Sequence, residues 1–250
     1  MSFNINTTER TDAKKIGILT MLDGILRNQE SFFEDIFEGR NLKYFLKWFF
    51  MAIFGLMALY GFSMGSAGFR NGLTQGFMQT VSSGVKVPML YLLSILVCYP
   101  VLYFIVVLMG SKLNFVQTFV LILLALVLNS ILLAGCAPIV LFFTFTGSSY
   151  EFIKLIHVAI FVFSGSWAMQ TLWRGLTAMC EKSDLYPRQA VQILQVWVLV
   201  FGFVGIQMAW SLRPFVGSPD RKFQIIRTTQ DGNFYQMVWN SFVDLSKKDL

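Results

Sequence analysis

Few side chains in this chain could do chemistry, and their spacing decides which. The only histidine, His157, stands near the start of an apolar run. Zinc needs three or four converging ligands, and no Cys, Asp or Glu is spaced to join it. With Lys154 three residues before it and Ser164 seven after, His157 reads as a packed or interfacial residue. Cys98, Cys136 and Cys180 are far apart and form no CxxC or other metal spacing. A cysteine in an apolar run behaves as a small hydrophobe. The stretch "FSGSW" (163–167) is not the Gly-x-Ser-x-Gly of a nucleophile elbow. Phosphate-loop and dinucleotide fingerprints do not occur. The expectation is therefore no catalytic residue, no cofactor and no metal, and so no enzyme. A lipid-modifying enzyme has only interfacial polar residues in its favour.

The remaining polar groups inside apolar runs are mostly amides: Gln117, Asn129, Gln170, Gln192, Gln195 and Gln207. No Asp or Glu falls in the middle of such a run. Amides in membrane spans hydrogen-bond between helices, worth about 1 kcal/mol each, so the six form a candidate intramembrane polar network. The alternative is an amide-lined path through a channel or transporter. Ion pathways usually carry ionisable groups, whose burial in lipid is tolerated only for use, and no Asp or Glu lies in a span core here.

The elements that must position these groups follow from composition. Of 250 residues, 55% are hydrophobic and only 14% charged, with 26 Phe; mean hydropathy is +0.60. A soluble chain carries about 25% charge. The apolar residues collect in runs of about 20, enough to cross a ~30 Å hydrocarbon core. The spans expected are 44–64, 87–109 (with Pro100 inside), 115–146, 152–173 and 190–212. The third run is too long for one average span. Asn129 lies at its middle and "AGCAP" (134–138) interrupts it, so it reads as one span followed by a broken, partly re-entrant or tilted segment. Five spans are expected, six if that run divides. The fold class is an all-α polytopic membrane bundle.

Both ends differ from this core. Ile16, Leu19, Leu22, Leu26, Phe33 and Phe37 recur at three- to four-residue steps among charged positions. That is an amphipathic helix, lying on the membrane or docked on the bundle or a partner. Near the other end, Phe234, Val238, Phe242 and Leu245 share a helical face, with Asn233 placed to cap it. Three regions follow: a tail over 1–43, the bundle over 44–212, and a tail over 213–250. The first fifteen residues lack the basic-then-apolar order of a cleaved signal.

Two sequence features suggest contact surfaces. Gly61, Gly65, Gly68, Gly72 and Gly76 step by 4, 3, 4 and 4, which would put all five on one face of a helix. Such a face lets another backbone approach, within the chain or between copies. The other reading of "SMGSAGFRNGLTQG" is a flexible connector. "AWSLRPFVGSPD" (209–220) ends the last span. Trp210 belongs to an aromatic belt, Arg213 can snorkel, and Pro214 ends the helix. Arg213 and Phe215 then stand at a fixed corner where a partner could dock.

The net charge is +6. The basic residues are scattered over loops without a dense patch or aromatic platform, which argues against nucleic acid. Lys43, Lys47, Lys112, Arg174, Lys182 and Arg188 fall on the N-terminal side of a five-span topology. Arg70, Lys86 and Lys154 fall on the other. The positive-inside rule then puts the N-terminus in the cytoplasm.

"LMGSKLNFVQTFVLILLAL" (108–126) has a span ending in Gly, a short turn, and a Phe-x-Gln-Thr start to the next span. In this it resembles the Yip family of five-span membrane proteins, over about Lys86 to Gly175. The Asp-Leu-Tyr-Gly motif expected before that family's first span is absent, and "SDLYP" (183–187) lacks the Gly. The chain is also similar, nearly throughout, to an uncharacterised family of bacterial multi-span membrane proteins with an "FFEDIFEGRNL" helix and a "WSLRPFVGSP…GNFY" segment. These resemblances imply a bacterial inner-membrane protein without a catalytic site. The expected function is a non-enzymatic membrane scaffold or accessory subunit in contact with lipids and a protein partner, or with further copies of itself.

Overall fold

A computed structural model describes residues 18–108, 110–182, 188–216, 224–225 and 234–248. The described chain is helical: α1 (Ile18–Arg27), α2 (Gln29–Phe37), α3 (Leu42–Gly65), α4 (Leu73–Leu108), α5 (Phe115–Phe145), α6 (Tyr150–Lys182), α7 (Arg188–Leu212) and α8 (Phe234–Lys248), with a 3-10 turn over Ser66–Asn71 after α3. Five helices, α3 to α7, are long and apolar enough to cross a membrane. This is an all-α integral membrane bundle. The connections alternate between two ends. α3, α5 and α7 begin at one end and α4 and α6 at the other, where the turns at 66–72 and 146–149 lie.

α5 is the central helix. In its most apolar stretch 61% of residues are buried, against 6% for α7. The expected break at 134–138 does not occur: α5 runs unbroken for 31 residues with Pro138 inside. The physical reason is the solvent. A broken segment in hydrocarbon leaves several backbone groups unpaired at several kcal/mol each, whereas one proline removes a single helical bond. At 1.5 Å per residue α5 is about 46 Å long, so it crosses once and extends beyond the core. The division into six spans falls with the break.

α4 likewise starts earlier than the apolar run at 87. It begins at Leu73 and passes through Pro88 and Pro100. The Gly-Ser-rich segment before Pro88, outside the expected span, is therefore helix. Packing of its small residues against α3 stabilises what its propensity does not.

The N-terminal pattern forms two helices that meet at Asn28. Of the expected apolar stripe, Phe33 and Phe37 are buried and Leu22 half-buried, but Leu19 and Leu26 are exposed and Ile16 lies outside the described residues; the buried face is completed by Met21, Ile25 and Ile36. Gln117 makes the attachment. Its Oε1 accepts from Asn114 N–H at 2.8 Å, completing the capping box of α5, while its Nε2 donates to Ile36 O at 3.1 Å and Phe37 O at 2.9 Å. One side chain thus caps the start of α5 and the end of α2. Gln117→Leu is expected to lose about 2 kcal/mol of docking. Tryptic cleavage after Arg27 and Arg40 in solubilised protein should accelerate correspondingly.

Candidate functional site

The five glycines do not share one helix. Gly61 and Gly65 end α3, Gly68 lies in the 3-10 turn, Gly72 turns the chain at φ +103°, and Gly76 opens α4. The single-face expectation fails because the chain reverses at Gly72, where left-handed backbone suits glycine. Four of the five instead seam α3 and its turn to α4. A Cβ on Gly61 would stand 2.4 Å from Ser83 O, and one on Gly65 2.6 Å from Thr80 Cα. On Gly68 it would meet Gln79 at 2.8 Å, and on Gly76 Phe69 at 2.4 Å. These contacts lie within one chain, so the seam is occupied and is not open to a second copy.

The corner after α7 is also occupied by its own chain. Pro214 and Val216 are buried, and Arg213 and Phe215 are half-buried. Gln79 Nε2 donates to Pro214 O (3.2 Å) and Phe215 O (2.9 Å), and Ser83 Oγ donates to Phe215 O. Lys86 Nζ donates to Pro214 O at 3.1 Å and to Ile225 O, and it lies 5.8 Å from the Phe215 ring centre. The Arg213 guanidinium stacks 3.6 Å over Trp210. The expected corner is thus held by side chains of the chain's own α4. The chain leaves α7 with unpaired carbonyls, and the polar side chains of the "QTVSSGVK" segment on α4 are the donors that hold them.

The six amides are not brought together either. Gln117 serves the N-terminal helices. Gln192 and Gln207 are exposed on α7, because that helix buries so little of itself. Asn129, Gln170 and Gln195 line a common space, a cavity of 1890 Å³. Its floor is α4 and α5, its walls are α6 and α7, and Pro214, Phe215 and α8 close the opposite end. The cavity exists because α7 packs chiefly on α4 and touches α6 little. Trp197 fixes that arrangement, donating from Nε1 to Cys98 O at 3.0 Å.

The buried polar side chains at this floor are unusual. Tyr60 Oη pairs with His157 Nδ1 at 2.8 Å, and Tyr91 interacts with the Asn129 side chain. Yet among the described residues Ser94 Oγ, Asn129 Oδ1 and His157 Nε2 have no hydrogen-bond partner. They are 0%, 4% and 2% exposed, and all three residues line the cavity. Also lining the cavity, Lys154 pairs with Glu151 at 2.5 Å. No group of three or more potential metal ligands occurs among the described residues.

Family models, curated proteins and solved structures yield no match to this chain. The site must therefore be read from its geometry.

Three glycines that the sequence did not single out contribute most to that geometry. Gly165 on α6 and Gly202 and Gly205 on α7 line the cavity, and nothing lies within 4 Å of where their Cβ atoms would stand. A mid-helix glycine costs about 1 kcal/mol relative to alanine. At Gly61 and Gly65 a close backbone accounts for it. At Gly165, Gly202 and Gly205 no protein contact does.

Proposed function

We propose that this protein acts by binding, without catalysis, and that its cavity between α6 and α7 holds a membrane amphiphile. The observation that carries this reading is a largely apolar cavity walled by glycines that no protein atom requires. Sites for small ligands are apolar with a few placed polar groups and occupy about 300–1,000 Å³. This one is larger and stands between spans, where a lipid chain is the available apolar solute. Lys154 and Glu151 line it at the end opposite α1 and α2.

The test fills the cavity. Gly165→Phe and Gly202→Phe put a ring on positions with no protein atom within 4 Å of the added Cβ. The variants are expected to purify and retain helical content like the parent, and to carry at least about fivefold less co-purified lipid by mass spectrometry, the loss of roughly 1 kcal/mol of binding. Equal lipid retention in parent and variants would refute the reading.

A scaffold or accessory-subunit role is the second reading, favoured by α8. One side of α8 is anchored at the buried Ser241, while Tyr235, Trp239 and Phe242, spaced i, i+4 and i+7, are more than half exposed. A partner bound there would be lost on deleting 231–250 and kept on deleting 12–38, whose apolar face is engaged within the chain.

For orientation we propose a cytoplasmic N-terminus, in a bacterial inner membrane as the resemblance implies. Support comes from the basic residues of the opposite end. Arg70 donates to Thr144 O at 2.9 Å, Lys86 holds Pro214, and Lys154 pairs with Glu151. Each has an internal partner, which leaves Lys43, Lys47 and Lys112 as the solvent-side anchors.

A further inference from the structure

We infer that the cavity between α6 and α7 takes one isoprenoid chain longer than a single leaflet, lying lengthwise between the two helices. The inference rests on the cavity being a lipid site and names the class of lipid. Its length carries the argument. Tyr150 opens α6 and Trp173 lies far along it, and both line the cavity. At the helical rise they stand about 35 Å apart. On α7 the lining runs from Gln195 to Trp210, about 22 Å, and continues beyond the helix to Val216. The whole hydrocarbon core is ~30 Å thick, and one leaflet is about half of that. An acyl chain matched to one leaflet would leave the other half of the lining without contacts.

The two ends differ. Glu151 and Lys154 on α6 and Arg213 after α7 line the cavity where α6 begins. The polar lining towards the other end is uncharged: Gln170, Trp173 and Gln195. A headgroup finds charge at one end only, which favours one long amphiphile over two of opposed polarity. Among membrane amphiphiles, the single chains that outreach a leaflet are polyisoprenoids. The long side of the cavity is open to them. Val162 on α6 and Leu199 and Phe203 on α7 line it yet are 63%, 75% and 55% exposed. Between these helices the cavity therefore faces the bilayer, and a chain can enter sideways from lipid.

Geranylgeraniol and undecaprenol share a hydroxyl head and an isoprenoid chain. The first is matched to one leaflet and the second outreaches it. Each is titrated into the full-length, detergent-solubilised protein, and bound prenol is read by native mass spectrometry. Undecaprenol is expected to bind at least about tenfold tighter, because more of its chain is covered. Gln195→Trp and Gln170→Trp add bulk about 26 Å and about 30 Å from the charged end of their helices. In each variant undecaprenol affinity should fall to that of geranylgeraniol, whose own binding stays unchanged and reports an intact site. Equal affinity of the parent for the two prenols overturns the long-chain assignment and leaves the lipid site standing. A preference that survives in both variants is partition into the micelle and also overturns it. Loss of both prenols in both variants overturns the lengthwise placement. A pair of bound phospholipids that undecaprenol does not displace overturns it in favour of one chain from each leaflet. Saturable binding of neither prenol overturns the assignment, and with phospholipid equally retained in Gly165→Phe the lipid site falls as well.

Discussion

Gly61→Ala and Gly65→Ala should each destabilise the bundle by about 1–3 kcal/mol, and the double variant should fail to accumulate as a folded monomer. A methyl on Gly61 would stand 2.4 Å from a backbone oxygen and one on Gly65 2.6 Å from a backbone carbon. No rotamer change relieves a clash with backbone, so α3 and α4 must separate along their seam. Separation also loosens the adjoining Tyr60–His157 bond at the cavity floor. Alanine's better helix propensity, about 1 kcal/mol, opposes the loss and is the smaller term. Gly135→Ala is the matched control, because nothing lies within 4 Å of its Cβ position; it should be neutral or slightly stabilising. Thermal unfolding in detergent, followed by size-exclusion fluorescence, separates the three.

Lys86→Met should release the chain after α7. Lys86 is 8% exposed, and its ammonium donates to Pro214 O and Ile225 O. Hydrogen bonds from charged donors are worth about 1.5–3 kcal/mol each, and methionine preserves most of the side chain's volume while removing both. The expected loss is about 3 kcal/mol of local attachment. Gln79 and Ser83 keep part of the contact, so the segment should open without unfolding the bundle. Val216, 7% exposed, gives the readout. With Cys98, Cys136 and Cys180 replaced, Val216→Cys should react slowly with a polar maleimide when Lys86 is present and at least about tenfold faster with Lys86→Met. Because Pro214 and Phe215 also close the cavity, the same variant should exchange bound lipid faster. Slow labelling in both backgrounds would show that Lys86 does not hold the segment.

What the sequence conveyed about this molecule followed from its solvent. Runs of about 20 apolar residues mark spans whatever their neighbours, so all five could be located. Their ends were less visible. α4 extends back to Leu73 through Gly and Ser that look like a connector, since its stability there comes from contact with α3. Pro138 and Gly135 look like a break, since the rule that backbone must pair in lipid acts on the whole segment and not on a tripeptide. The site was less legible still. Asn129 could be marked as a polar group at mid-span, but its free oxygen depends on what α4 and α6 bring near it. Gln117 belongs to the same residue class and is fully used at a helix end. Gly61 and Gly165 are likewise both helical glycines. One meets a backbone and the other faces open space, a distinction that exists only once the helices are placed. The corner at Pro214 failed as an exposed surface for the same reason: its partners Gln79, Ser83 and Lys86 lie more than a hundred residues away.

The claim that the space between α6 and α7 is a lipid site is tested most directly by photo-crosslinking. Purified protein is reconstituted with a phospholipid bearing a diazirine in one acyl chain, irradiated, and mapped by peptide mass spectrometry. Labels are expected at the cavity-lining, half-buried residues Tyr91, Phe161 and Met169, and these labels should vanish in Gly165→Phe. Labels confined to outward residues such as Leu59, Phe104 and Phe142, with none at those three, would contradict it.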